Sequence, residues 1–322
     1  MAFAKKLLNT SLIIGGALGA MAFYNKTTET LAGEIDTVLT GEQRRYPWKY
    51  GDMFYEVKGA QDARPLLLIH SFWPGASSFE WRKNVDVLAE HFRVYTLDLL
   101  GFGLSDRPAI NYDAELYTDL LNDFIKEVIG KPTVVVAHGL TCAYIIACAF
   151  RRPQFFERLV LVSPPTAILE DHLPDPLHAT WKFLLHTPVL GQFIYNQLTS
   201  RQAIRRYYDK LGYQDLGLLT DDLVEYIFTS AHQPDSRYPA AASLNGYLTL
   251  NVHEPLAHLQ VPVVAVWGRE EMLIPDEIIA AFQRVNPRIE TRIFDKSRFH
   301  LQEEQAVNFN NFMRDLASTT VS

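Results

Sequence analysis

Two thiols, Cys142 and Cys148, stand six residues apart in a stretch patterned as a helix. Along a helix axis that spacing is roughly 9 Å, too far for a disulfide. Nothing around them has metal-ligand spacing, so both read as buried free thiols. The other chemistry-bearing groups sit just beyond apolar runs: His70 and Ser71, His138, Glu271 and His300. A histidine and a carboxylate brought together could move a proton. No dinucleotide fingerprint, phosphate loop or metal motif occurs, so no cofactor and no metal are expected.

Those positions follow from the elements that hold them. From Met53 onward, short apolar runs alternate with amphipathic segments, the pattern of a parallel sheet covered on both faces. Strands are expected at 53–58, 65–70, 92–98, 133–138, 158–163, 262–268 and 290–295. Helices are expected at 80–90, 114–129, 140–151, 276–285 and 303–316. Between Pro164 and Leu259 the strand signal stops, and helices are expected at 188–211 and 220–232. Such an insertion reads as a cap over the C-terminal strand ends, where open α/β sheets bind ligands. The expected domains are a hydrophobic segment (1–24), a linker (25–49), an α/β core (50–163 and 260–322) and a helical cap (164–259).

A net charge of −7 argues against non-specific nucleic-acid binding, which needs a basic surface. Leu7 to Tyr24 is an uncharged, mostly apolar run after Lys5 and Lys6. Eighteen helical residues span roughly 27 Å, about one bilayer core. Length favours a single-pass N-terminal anchor carrying an extracytoplasmic domain, with the membrane as a partner through residues 7–24. Ala20-Met21-Ala22 also fits a signal-cleavage pattern, which would make the domain secreted.

The segment Leu66–Pro108 contains Asp98-Leu99-Leu100-Gly101-Phe102-Gly103-Leu104-Ser105-Asp106. It resembles the α/β-hydrolase superfamily, especially its haloalkane dehalogenase, epoxide hydrolase and carbon–carbon hydrolase branch. The resemblance implies an α/β-hydrolase fold, a mostly parallel sheet flanked by helices with an inserted cap. It also implies a nucleophile on a strand–helix elbow, backbone oxyanion donors, a His base and a carboxylate to orient it.

Each slot can be matched to this chain. In TVVVAHGLTCAYIIACA (133–149) the nucleophile position falls on Gly139, which has no side chain to attack with. Glycine does suit the strained backbone of such a turn. In RIFDKSRFHLQEEQ the base falls on Phe299 without gaps, or on His300 after a one-residue shift. His300 is thus a base, a ligand contact or an exposed loop residue. The acid position holds Glu271, one methylene longer than the family's Asp. The oxyanion donors are expected on the backbone of Phe72 and Leu140, beside Ser71, with Phe72 and Trp73 lining the pocket or the core. Ser71 is the best substitute nucleophile, with no base assignable to it.

Several deviations in one site suggest a fold kept after covalent hydrolysis was lost. The pattern resembles the N-myc downstream-regulated family. The leading expectation is a non-hydrolytic, membrane-tethered protein binding a small apolar carbonyl ligand or a protein partner. A second is a hydrolase or lyase without a covalent intermediate, which requires His300 to reach Glu271 beside Gly139. A third is a scaffold, which requires a filled pocket and an exposed apolar patch on the cap.

Overall fold

Apolar runs that are extended can satisfy their backbone only by pairing with other strands, and here they pair into one sheet. A computed structural model describes residues 2–171, 176–244, 246, 248–271 and 276–318. Its strands are β1 (Glu42–Trp48), β2 (Gly51–Lys58), β3 (Arg64–Ile69), β4 (Phe92–Leu97), β5 (Thr133–His138), β6 (Phe156–Val162), β7 (Val263–Gly268) and β8 (Glu290–Phe294). They lie in the order β1-β2-β4-β3-β5-β6-β7-β8. β3 to β8 run parallel, while β1–β2 and β2–β4 pair antiparallel.

Alternation along each strand feeds two cores. Leu67, Ile69, Val135, Ala137, Leu159 and Leu161 share one with helix Thr141–Arg151. Leu66, Leu68, Val134, Val136, Val160 and Val162 share the other with Phe309, Phe312 and Met313 of helix Ala306–Ser318. Strands buried on both faces read as unbroken apolar runs, and β5 is buried throughout. Cys142 and Cys148 are free and buried.

The Asp98–Asp106 segment is a clamp. Asp98 accepts from Ser78 N at 2.6 Å and Leu104 N at 2.8 Å, and Ser105 Oγ donates to its carbonyl at 2.6 Å. Gly103 adopts φ 52° against the Asp98 carboxyl group, where a Cβ has no room.

Residues 164–259 contain no strand among the described residues. Pro176–His186, Pro188–Leu198, Arg201–Tyr207, Asp221–Ala231, Arg237–Leu244 and His253–His258 are helical. The helix expected over 188–211 breaks at Thr199 and Ser200, where the Ser200 side chain caps the next helix at Ala203 N. The cap meets the core through Trp73, whose ring stacks on Tyr207 with centroids 3.8 Å apart.

The N-terminus departs most from expectation. Helix Ala2–Ala32 runs on past the apolar segment, and the supposed linker also supplies β1. Beyond Tyr24 the helix docks on the cap. Asn25 Nδ2 donates to Val189 O at 2.9 Å, and Asn196 Nδ2 donates to Asn25 Oδ1 at 3.1 Å. Tyr24 packs edge-on against Phe193, and Thr229 Oγ1 donates to Ala32 O at 3.0 Å. Among the described residues no helix is long and apolar enough to cross a membrane. The expected anchor with an exported domain, and its secreted alternative, are corrected accordingly. Physically, Asn9, Thr10, Ser11 and three glycines dilute the run.

Candidate active site

β5 ends at His138 between β3 and β6, and the chain must turn sharply to start helix Thr141–Arg151. Gly139 makes that turn at φ 64°, donating its N–H to Val162 O at 2.9 Å. Thr141 Oγ1 fastens it, donating to His138 O at 2.9 Å and accepting from His138 N at 3.1 Å. A β-carbon built on Gly139 would lie 3.0 Å from Phe299 Cζ and 3.5 Å from Ser71 Cβ.

Phe299 is held there by its own backbone. Its carbonyl accepts from His138 Nε2 at 2.9 Å and lies 3.2 Å from Ser163 Oγ. Its ring tilts over the His138 imidazole, centroids 4.2 Å apart. Ser163 has a left-handed backbone, φ 46°, an uncommon conformation for a residue with a side chain.

The loop after β3 is equally fixed. His70 Nε2 accepts from Leu99 N at 3.1 Å, which leaves Nδ1 to donate to Ser71 O at 2.7 Å. That tautomer is neutral, and burial holds the His70 pKa below its ordinary value. Ser71 N and Oγ both donate to Glu80 Oε2, at 3.2 and 3.0 Å. Phe72 packs in the core against Phe102, Tyr117 and Tyr144. Trp73 faces the cap. Among the described residues neither Phe72 N–H nor Leu140 N–H has an acceptor.

Glu80 is the centre of a buried polar cluster. Its Oε1 lies 2.5 Å from His138 Nδ1, and Gln302 Nε2 donates to the same oxygen at 3.2 Å. Burial opposes ionisation of Glu80, yet the charge and hydrogen bond of His138 hold its pKa at about 2. Burial likewise opposes charge on His138, and the Glu80 carboxylate outweighs it, raising that pKa. The two form a desolvated ion pair.

His300 lies beside this pair but is neutral. Burial, reinforced by the His138 charge, pushes its pKa down to about 3. Its ring stacks on Tyr208 of the cap at 5.1 Å, and the His300 backbone N–H donates to Gly212 O at 3.3 Å. Nδ1 is 3.5 Å from Glu303 Oε1 without forming a hydrogen bond. Glu303 is taken up by Tyr213 OH at 2.7 Å and by Arg82.

Glu271 lies elsewhere in the network. It accepts from Ser163 Oγ at 2.9 Å, and burial pushes its pKa up to about 7. Gly139, Ser71 and Phe299 therefore meet at the turn, and His300 joins His138 and Glu80. Glu271 reaches this group through Ser163, and no Glu271–His300 hydrogen bond occurs among the described residues. The sequence reading missed Glu80, Ser163 and Gln302. It singled out His138 without its partner.

Beside His300 there is little space. A void of about 20 Å³ touches Trp73, Glu80, Tyr208, His300 and Glu303, room for one water. A larger hollow, about 360 Å³, is lined by Asn25, Pro188, Asn196 and His232, and by none of the residues at the turn.

With this geometry in place, comparison with known proteins gives the class. Residues 66–308 match the model of the alpha/beta hydrolase family, and the chain belongs to that family. Mouse epoxide hydrolase 4 is 25% identical over 78% of this chain and 69% of its own length. The 2-hydroxy-6-oxo-2,4-heptadienoate hydrolase of Pseudomonas putida is 24% identical over 78% of this chain and 88% of its own. Among solved structures, carboxylesterase CesB from Bacillus subtilis superposes with a TM-score of 0.70 at 19% identity, covering 94% of this chain and 100% of that one.

Proposed function

We propose that this chain is a non-hydrolytic member of the family that works by binding a protein partner. One observation carries the reading: the elbow residue is glycine, and the Phe299 ring fills the space where a nucleophile would project. Losing a triad nucleophile costs a factor of about 10⁶ in turnover. The void of about 20 Å³ beside His300 has room for one water and not for a small apolar carbonyl ligand. That favours a partner on the outside of the cap, where Phe183 is 71% and Trp181 41% exposed on helix Pro176–His186.

The test is chemical. The full chain is treated with a serine-reactive fluorophosphonate and with short p-nitrophenyl esters; neither labelling nor turnover is expected. Turnover that disappears with Ser71→Ala or His300→Ala overturns the reading.

A second reading keeps hydrolysis without a covalent intermediate. The free N–H groups of Phe72 and Leu140 favour it, because they could still hold an oxyanion. It needs His300 and Glu271 to meet, whereas Ser163 occupies Glu271 in this conformation.

A further inference from the structure

Glu80, His138 and His300 bring one carboxylate oxygen and two imidazole nitrogens within 4.8 Å of one another, all on buried residues. They come from three distant segments: the turn Ser78–Trp81, the end of β5 and the loop before helix Leu301–Glu304. No sequence spacing announces such a set.

Three details favour a cation over a closed hydrogen-bond network. His300 Nδ1 is buried without a hydrogen-bond partner, a cost of about 1–3 kcal/mol when nothing else compensates. His138 Nε2 is committed to the Phe299 carbonyl at 2.9 Å, so in neutral histidine the lone pair sits on Nδ1, facing Glu80. Glu80 Oε2 is braced by Ser71 N and Oγ. Metal-bound histidines and carboxylates are ordinarily steadied by such outer partners. The void of about 20 Å³ touching both Glu80 and His300 has room for one water as a fourth ligand.

We propose that Glu80, His138 and His300 form a transition-metal site suited to zinc, with two imidazoles, one carboxylate and a water. Binding releases one proton from His138 to solvent. It also opens the Glu80–His138 contact from 2.5 Å to the roughly 3.3 Å that separates ligands around tetrahedral zinc. Because His300 stacks on Tyr208 and bonds to Gly212, the ion ties the cap to the elbow.

The full chain is stripped with a chelator and titrated with Co²⁺, followed by visible d–d absorption and displacement by Zn²⁺. About one ion per chain is expected, with a tetrahedral-type spectrum. His300→Phe, checked for folding by circular dichroism, should weaken binding by more than about 100-fold, beyond the loss of an outer partner. Ser71→Ala, a second variant in case His300→Phe misfolds, should weaken it about 10- to 100-fold. A folded parent chain that yields no absorption band overturns the proposal. So does unchanged Co²⁺ affinity in folded His300→Phe or, where that variant misfolds, in Ser71→Ala.

Discussion

Phe299 stands where a side chain on Gly139 would have to go, its Cζ 3.0 Å from the position of a β-carbon there. At φ 64° that residue is also in the region where L side chains are strained. Gly139→Ser should therefore lower stability by about 1–3 kcal/mol and give no esterase activity. Phe299→Ala in the same chain removes the contact and should return part of that loss. A denaturant-unfolding double-mutant cycle should read a coupling of about 0.5–1.5 kcal/mol. Strict additivity, or an esterase gain from Gly139→Ser alone, would show that Phe299 does not obstruct the turn.

The Glu80–His138 pair makes a different demand. Both groups are desolvated, and the Ser71 loop and Gln302 also converge on the carboxylate. Glu80→Gln leaves His138 without its counter-charge, which in a buried pair costs about 3–5 kcal/mol. Urea unfolding measures this directly. A loss below about 1 kcal/mol would place the pair in the class of exposed ion pairs.

Glu271 sets a pH dependence of defined sign. Its carboxyl group titrates near 7 in the folded chain against an ordinary 4.5. Between those values the folded state holds a proton that the unfolded state has released, so stability falls as pH rises and levels off above 7. At about 1.4 kcal/mol per pKa unit the whole effect is roughly 3 kcal/mol. Glu271→Gln can still accept from Ser163 Oγ but carries no charge. It should exceed the parent by about 1–3 kcal/mol at about pH 8, with the gap closing toward about pH 4. Unfolding curves that keep a constant offset across this range would remove Glu271 as the cause.

The parallel sheet was legible because β3, β5, β6 and β7 are largely buried on both faces and therefore rich in Val, Leu and Ile. β1 was not, since an edge strand needs no apolar face: Glu42, Gln43, Arg44 and Arg45 are exposed. The elbow could be located because an apolar strand runs into a helix at Gly139, and a positive φ explains the glycine. Glu80 could not be found, because an acidic residue in a first helical turn reads as a solvated cap. The meeting of His300 with Glu271 that the second reading requires is absent for a local reason. Ser163, in its left-handed conformation, aims its hydroxyl at Glu271, while His300 is turned toward Tyr208. The apolar N-terminal run suggested a span because hydropathy cannot foresee that the helix continues onto the cap.

That docking yields the last prediction. Asn25 is the polar pin between helix Ala2–Ala32 and helix Pro188–Leu198, using both its amide atoms at 2.9 and 3.1 Å. Asn25→Ala removes both bonds and leaves Asn196 Nδ2 without that acceptor, a cost of about 1–2 kcal/mol. The edge-on Tyr24–Phe193 contact and the Thr229–Ala32 bond remain, so the loss should be local. Amide hydrogen exchange should speed up about 5- to 30-fold between Asn25 and Ala32, the ratio that such an energy buys. Amides of β5 should be unaffected, because they open only with the whole domain. Unchanged exchange in the variant would mean that the helix is held to the cap by its apolar contacts alone. Equal acceleration in β5 would mean that helix and core unfold as one unit.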